Sequence, residues 1–282
     1  MTVCLCTSGR AADIAYPRPG QPDRTIVSSA EENLRVVFPR IYDCDACLIR
    51  CEGETLLLDC GDEKQTRAIM DMLEEENVWS IDHIIITHPH HDHIGALRDI
   101  CEEYEVGSIW ISFPEYTNAH MQTIASVARQ YAVPICHYAD EDIWMIGNAM
   151  LQVYIKSEAT QNVNNRSGLF RLSFGECVMT FASDLELQGL LDTASKVPVE
   201  KLKTDILKYP HHGKDPMPGA YYEQADPGLI IVTAYNTGRK GEKNIAVHHW
   251  PVLYTYDGVW SCETDGVNWQ ITDLRKNKSR ES

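Results

Sequence analysis

Residues 85–95 read IITHPHHDHIG, and this stretch places four of the chain's 11 histidines directly behind an apolar run. The run IDHIIIT (residues 81–87) has the composition of a buried β-strand, so the chain leaves the strand straight into His88. Open α/β sheets commonly bind ligands at the carboxyl ends of their strands. The stretch therefore predicts a metal site at the end of a buried strand.

The pattern His-x-His-x-Asp-His supplies four candidate metal ligands, which are His88, His90, Asp92 and His93. In an extended segment the first two imidazoles project to the same side and can bind one ion. The last two residues come at the mouth of a helix opened by Gly95 and can face a second ion, while His91 points away. A mixed set of nitrogen and oxygen ligands fits catalytic zinc, or iron or manganese, better than structural zinc, which favours cysteine. We favour this interpretation over a solvated histidine cluster.

A two-metal site needs further ligands, and two other apolar runs end in suitable residues. VMTFASDLE (178–186) ends in Asp184, whose carboxylate could bridge both metals. DILKYPHHGK (205–214) ends in His211 and His212, one of which could complete the second site. The alternatives are a helix N-cap at Asp184 and a surface turn before Gly213. Together with the first motif, metal ligation is the favoured interpretation.

The rest of the chain predicts an α/β fold. Short β-rich runs such as LRVVFPR (34–40), ACLIRC (46–51) and ETLLLDC (54–60) are separated by turns, and helical spacing begins in EKQTRAIMDMLEEEN (63–77). Strands and helices continue through a second β-rich half that closes with a hairpin. This order predicts a four-layer αβ/βα sandwich, in which two mixed β-sheets face each other and helices cover the outside. We assign residues 1–30 to an irregular lead-in, 31–275 to a single domain and 276–282 to a charged tail.

Composition limits the kinds of partner. The 282 residues are 44% hydrophobic and carry a formal net charge of −16. This charge disfavours a stable grip on duplex DNA and favours a small or short substrate. No run approaches the roughly 18 apolar residues that span a bilayer, and the N-terminus lacks a basic start followed by an apolar segment, so we expect a cytoplasmic protein without membrane contact.

The chain has 10 cysteines, and without a secretory signal we expect them to be reduced. Cys44 and Cys47 form an isolated CxxC with no second pair at zinc-finger distance. We therefore interpret these two residues as small apolar side chains beside a strand rather than as a structural zinc site.

The motif THPHHDHIG closely resembles the signature of the metallo-β-lactamase superfamily of metal hydrolases, and LLLDCGD (56–62) resembles the strand and turn that precede it there. Five segments are similar, in order, to the hydrolase domain of DNA-uptake competence proteins and their free-standing relatives. They are YDCDACLIRCEGETLLLDCG (42–61), ITHPHHDHIGAL (86–97), NNRSGLFRLSFGECVMTFASDLE (164–186), LKTDILKYPHHG (202–213) and ETDGVNWQI (263–271). The resemblance covers roughly residues 34–273 and implies the metallo-β-lactamase type of sandwich.

The resemblance implies a site with one or two divalent metals, of which two ions, with zinc as the expected metal, are predicted here. The implied ligands are His88, His90, Asp92, His93, Asp184 and one of His211 and His212. The chain departs from its relatives at YDCDACL, where they have DVGQGDA, at Ser183, where they have glycine, and at Lys214, where they have serine. Lactamases and many thioesterases also have a further histidine, and here only His120 and His137 lie in that interval, without a matching context. We therefore do not expect β-lactam hydrolysis.

The sequence predicts a metal-dependent hydrolase that acts on a phosphodiester or a phosphate ester. Asp184 is expected to hold both metals, and Asp92 to orient the attacking water. The leaving group would receive its proton from His212 or His211, whichever does not bind metal, or from His249 or its neighbour His248. A lactone, thioester or phosphorylcholine ester is an alternative substrate, and a non-enzymatic metal-binding or interaction protein is the alternative of a different class. The oligomeric state is left open.

Overall fold

The computed structural model describes residues 33–114, 118–155, 162–235 and 249–275. The predicted lead-in, 1–30, and the predicted tail, 276–282, lie outside the described residues. In the described part, the strands are β1 (Leu34–Phe38), β2 (Ala46–Cys51), β3 (Glu54–Cys60), β4 (Ser80–Ile85), β5 (Glu105–Ile111), β6 (Ile135–His137), β7 (Ile143–Ile146), β8 (Ala149–Ile155), β9 (Gly168–Phe174), β10 (Cys177–Phe181), β11 (Ile206–Lys208), β12 (Leu229–Val232), β13 (Val252–Tyr254), β14 (Trp260–Thr264) and β15 (Trp269–Asp273). The α-helices are α1 (Thr66–Glu75), α2 (His91–Ile94), α3 (Leu97–Glu103), α4 (Ala119–Gln130), α5 (Leu187–Ala194), α6 (Val199–Leu202) and α7 (Gly219–Ala225).

Two mixed sheets form the centre of the molecule. The first has eight strands in the order β15-β14-β1-β2-β3-β4-β5-β6, and the second has seven in the order β13-β12-β11-β10-β9-β8-β7. In each sheet an antiparallel series leads into parallel strands, which are β3 to β6 in the first sheet and β10 to β13 in the second. The predicted α/β sandwich with two facing mixed sheets is confirmed.

Successive side chains of a strand point to opposite faces of its sheet, one toward the core between the two sheets and the next toward the outer helices. In β2, Cys47 and Ile49 pack in the core between the two sheets, whereas Leu48 between them packs on the outer side, in the same cluster as α1 and α3. In the second sheet, Ile206 faces the central core and Leu207 packs in the outer cluster with α5 and α7. Both faces of these strands are therefore buried, as expected for strands covered by helices on one side.

The turn between β2 and β3 and the positions of Cys44 and Cys47 agree with the sequence interpretation. Glu52 and Gly53, with φ values of 51° and 83°, form the two-residue turn that joins β2 to β3. Cys44 lies in the outer cluster and accepts a hydrogen bond from Gln65, while Cys47 lies between the sheets. The two thiols of the CxxC are therefore on opposite faces, and no disulfide joins any two cysteines of the described residues.

Short elements account for most differences from the sequence prediction. β6, β7 and β13 contain three or four residues, and such runs carry too little periodicity to be recognised. Helix α4 begins after Asn118, whose side chain accepts a hydrogen bond from the amide of Met121. None of the helices in the described ranges is long and apolar enough to cross a lipid bilayer.

Gly95 is a position where the fold requires glycine, because a Cβ atom there would overlap the backbone of Asp62 and Glu63. We expect Gly95→Ala to reduce the free energy of unfolding by roughly 1–3 kcal/mol, the usual cost of overpacking. Gly219→Ala is the matched control, since the nearest atom to its added Cβ is 3.8 Å away, and it should be neutral or slightly stabilising. Urea unfolding of the metal-free variants measures both changes, and equal stability of the two would contradict this account.

Candidate metal centre

The parallel strands of both sheets end at one edge of the sandwich, and the predicted site residues lie there. His88 follows β4, Asp184 follows β10, and His211 and His212 follow β11. At this edge four non-glycine residues have left-handed backbone conformations, which are Asp59, Ser183, His211 and His212, with φ between 44° and 61°. Each such residue costs of order 1–3 kcal/mol, and this kind of strain concentrates at functional sites.

Asp184 lies at the centre of the site and is 1% exposed. Its Oδ2 is 3.2 Å from His93 Nε2, 3.3 Å from His212 Nε2 and 3.7 Å from His88 Nε2. Asp92 Oδ2 lies 3.6 Å from His212 Nε2. The structure thus brings the first motif, Asp184 and His212 together, although they are far apart in the sequence.

Three buried polar atoms of this cluster have no hydrogen-bond partner within the described part of the chain: His93 Nε2, His212 Nε2 and Asp184 Oδ1. Unpaired polar atoms in a protein interior are costly and usually indicate a missing ion or water. The two Nε2 atoms lie 3.2 and 3.3 Å from the other oxygen of the Asp184 carboxylate, and imidazole and carboxylate are ligands that divalent transition metals accept. The donor set therefore fits a metal ion.

The first motif has one local difference from the prediction. Asp92 and His93 lie inside the one-turn helix α2, which Gly95 ends rather than opens. His88 Nε2 and His90 Nδ1 are 2.9 Å apart, so these two imidazoles converge as the spacing predicted. The His91 side chain is 69% exposed and lies 3.5 Å from Asp62, on the outside of the cluster.

His211 and His212 have different surroundings. His212 is fully buried in the cluster, whereas the His211 side chain is 15% exposed, with its Nε2 3.9 Å from Asp184 Oδ2. His211 Nδ1 is 2.9 Å from Asp215 Oδ2. His211, Asp215 and Glu186 form a second group of potential metal ligands. However, Glu186 already accepts hydrogen bonds from Asn162 and Asn164.

The structure also bears on the helix-cap alternative for Asp184 and on the candidate proton donor His249. Asp184 does not cap α5, because the N-cap position belongs to Glu186, whose side chain makes no capping hydrogen bond. His249 is exposed, with φ of 54°, and its role as a proton donor stays a prediction. His248 lies outside the described residues.

Sequence reasoning missed the carboxylates that hold the histidines. His93 Nδ1 lies 2.8 Å from Asp59 Oδ2, and His212 Nδ1 lies 3.1 Å from Asp45 Oδ1. Asp45 belongs to a fully buried group of potential ligand atoms, with His93, Asp184 and His212. The available signals were two aspartates inside apolar runs, LLLDC and DACLI, where a charged residue needs a partner.

Electrostatics divides the histidines into two groups. Burial lowers the pKa of His88, and the nearby His93 adds to this, so His88 is neutral. Burial would also lower the pKa of His212, but Asp184 and Asp45 outweigh it and raise the pKa to about 10. The pKa of His93 is likewise raised well above its usual value by Asp184 and Asp59, against the effect of burial. In the metal-free protein at neutral pH, these two rings therefore carry protons.

Comparison with known proteins agrees with this geometry. The sequence profile of the family described as the metallo-beta-lactamase superfamily matches residues 40–213. ComE operon protein 3 of Bacillus subtilis is 24% identical over 176 residues, which are 61% of this chain and 22% of that protein. The chain therefore spans about a fifth of the length of this curated relative.

Solved structures show the same fold. The metallo-beta-lactamase fold protein YhfI from Bacillus subtilis matches with a TM-score of 0.52 and 14% identity, over 78% of this chain and 95% of that chain. The E377D mutant of CmlA beta-hydroxylase matches with a TM-score of 0.50 and 16% identity, over 79% of this chain and 52% of that chain. The match of the family profile to more than half of the sequence, supported by this architecture, shows that the chain belongs to the metallo-beta-lactamase superfamily.

Proposed function

We propose that this protein is a metal-dependent hydrolase whose substrate is a small or short phosphodiester or phosphate ester. The observation that carries the proposal is the convergence of His93 Nε2 and His212 Nε2 on Asp184 Oδ2 at 3.2 and 3.3 Å, with neither nitrogen nor Asp184 Oδ1 finding a hydrogen-bond partner among the described residues. Membership of the superfamily supports metal-dependent hydrolysis in general. The resemblance of five sequence segments to the hydrolase domain of DNA-uptake competence proteins favours the narrower choice of a phosphodiester.

We infer that the metal-holding residues are His88, His90, Asp92, His93, Asp184 and His212. Asp184 is suited to hold two ions because its carboxylate lies between His93 and His212, with His88 nearby. Bound divalent ions would lower the pKa of a water molecule and offset negative charge in the transition state. Zinc is the expected metal, and manganese and iron are alternatives.

Lys214 supports an anionic substrate. Its ammonium group lies 3.8 Å from Asp92 Oδ2, and its side chain is 36% exposed, so it borders the cluster and reaches solvent. A cation in this position can bind a phosphate oxygen of a substrate held at the metals. The net charge of −16 opposes a long polyanion, which favours a small or short phosphate ester.

His211 is the proposed general acid, because His212 is enclosed by carboxylates and His211 lies on the open side. Asp215 fixes the ring through Nδ1, and Nε2 is directed toward Asp184 and Asn164. A carboxylate in this position orients an imidazole. His249 is a second candidate for this role.

Removal of the central carboxylate should abolish the site. We expect Asp184→Ala to lose bound zinc and to hydrolyse bis-p-nitrophenyl phosphate about 10²–10⁴-fold more slowly, because the metals would lose their shared ligand. Metal analysis and steady-state kinetics measure the two effects. His91→Ala is the control, because its exposed ring lies outside the cluster and its loss should change neither.

Two results would contradict the proposal in different ways. A wild-type protein that binds no metal would refute the site itself. A metal-loaded protein that cleaves a lactone, a thioester or a phosphorylcholine ester, but no phosphodiester, would refute the proposed substrate and retain the hydrolase.

The role of His211 can be tested with two leaving groups. We expect His211→Asn to slow hydrolysis of an alkyl phosphodiester by about 10²–10⁴-fold, because an alkoxide needs a proton to leave. The same change should affect bis-p-nitrophenyl phosphate much less, since nitrophenolate leaves without one. An equal loss for both substrates, with zinc still bound, would refute the general acid role, and His249→Asn tests the alternative donor.

Zinc binding should release protons, because His93 and His212 are protonated in the metal-free protein and bind metal only as neutral rings. A raised pKa keeps the proton on the ring at neutral pH, and this proton must leave before zinc binds. Zinc affinity should therefore increase with pH until His212 is neutral, which its pKa of about 10 places near pH 10. Calorimetric titration at pH 7 in two buffers of different ionisation enthalpy should show release of up to about two protons per protein. Binding heats that do not depend on the buffer would contradict this assignment.

A further inference from the structure

Two similar side-chain arrangements hold the two histidines that face Asp184. In the first, Asp59 accepts hydrogen bonds from the hydroxyl of Thr87 at 2.9 Å and from Nδ1 of His93 at 2.8 Å. In the second, the hydroxyl of Thr233 donates a hydrogen bond to Asp45 Oδ1 at 2.6 Å and lies 3.0 Å from Nδ1 of His212, which is itself 3.1 Å from Asp45 Oδ1. Each arrangement therefore consists of a buried aspartate, a threonine and the inner nitrogen of one histidine.

Among the residues that the structure describes, a further cation contacts the second arrangement and not the first. Lys208, which is 3% exposed, donates a hydrogen bond to Asp45 Oδ2 and another to the carbonyl oxygen of Ser183 at 3.2 Å. Ser183 immediately precedes the central Asp184 and has a left-handed conformation. Lys208 therefore connects the support of His212 to the backbone that presents the bridging carboxylate.

We propose that Asp45, paired with Lys208, is the positioning residue that fixes His212 for metal binding, as Asp59 fixes His93. This inference rests on the metal site of the proposed function. A hydrogen bond to Nδ1 keeps the proton on that nitrogen and leaves Nε2 free for a metal. In both histidines Nε2 is the atom without a hydrogen-bond partner.

The alternative is that Asp45 is itself a metal ligand, since its carboxylate lies near the other ligand atoms. Its hydrogen bonds argue against this role. Oδ1 is engaged by Thr233 and His212, and Oδ2 is engaged by Lys208, so both oxygens have partners. By contrast, Asp184 Oδ1 has none.

The positive charge of Lys208 compensates part of the negative charge of the buried carboxylates around it. Asp45, Asp59, Asp92 and Asp184 are all buried at one edge of the sandwich. Burial alone would raise the pKa of Asp45, but Lys208 and then His212 outweigh it, so the pKa is held well below its usual value. A charged Asp45 is retained by this ion pair even after His212 gives up a proton to bind metal.

The first experiment measures zinc affinity by competition with a chromophoric chelator, without any substrate. We expect Asp45→Asn to weaken zinc binding by about 10–100-fold, the usual effect of losing a carboxylate behind a histidine ligand. Asp59→Asn is the matched variant and should show a loss of similar size. Zinc affinity equal to that of the wild type in Asp45→Asn would overturn the proposal.

A second measurement separates positioning from general stability. In zinc-loaded protein labelled with ¹⁵N, the Nδ1 proton of His212 should give a hydrogen-bonded resonance whose chemical shift changes in Asp45→Asn and stays the same in Asp59→Asn, because the charge of Asp45 acts on this nitrogen directly and through Thr233. The melting temperature of the zinc-free protein provides the stability control. The double variant Asp45→Asn with Lys208→Met should keep the zinc-free melting temperature closer to that of the wild type than Lys208→Met alone, because no unpaired charge is left buried.

The outcomes distinguish this inference from the proposed function. Loss of zinc affinity in Asp45→Asn with the chemical shift of the His212 Nδ1 proton unchanged would make Asp45 a ligand and overturn the positioning role. Wild-type protein that binds zinc but hydrolyses no phosphate ester would refute the substrate class alone. Wild-type protein that binds no zinc would refute both.

Discussion

The site depends on one constraint, which is the burial of the Asp184 carboxylate between histidines from both sheets. A carboxylate that is 1% exposed must be compensated by nearby positive charge. In the metal-free protein, His212 and His93 supply it, and they hold the pKa of Asp184 well below its usual value although burial opposes this. The same convergence creates the geometry in which divalent ions can replace the two protons.

Strained backbone conformations help to position the side chains of the site. Asp59, Ser183, His211 and His212 have left-handed conformations at the ends of strands, and these turns direct their side chains across the edge of the sandwich. Consecutive left-handed residues at His211 and His212 place one ring inside the cluster and the other toward solvent. A single dipeptide therefore contributes to both the buried and the open parts of the site.

Much of this organisation could be predicted from the sequence, since apolar runs that end in His88, Asp184 and the His211-His212 pair indicate strands of parallel sheets with a common edge. The supporting residues could not be predicted in the same way. An aspartate inside an apolar run indicates that Asp45 needs a partner, but it does not identify Lys208 or His212, because these contacts join chain segments that only the folded sheets bring together. The one-turn helix α2 and the short strands β6, β7 and β13 were missed because a few residues carry no reliable periodicity.

The pair formed by Asp45 and Lys208 also has a consequence for the order of folding. The two residues are 163 positions apart in the sequence: Asp45 immediately precedes β2 of the first sheet, and Lys208 is the last residue of β11 in the second. A chain in which only the first sheet has formed brings together His88, His90, Asp92 and His93, but Asp184, His212 and Lys208 are not yet in place beside them. Closing such a long loop is slow and entropically costly. The complete set of ligands is therefore a property of the finished tertiary structure, and an incompletely folded chain can offer a metal only the local histidine cluster.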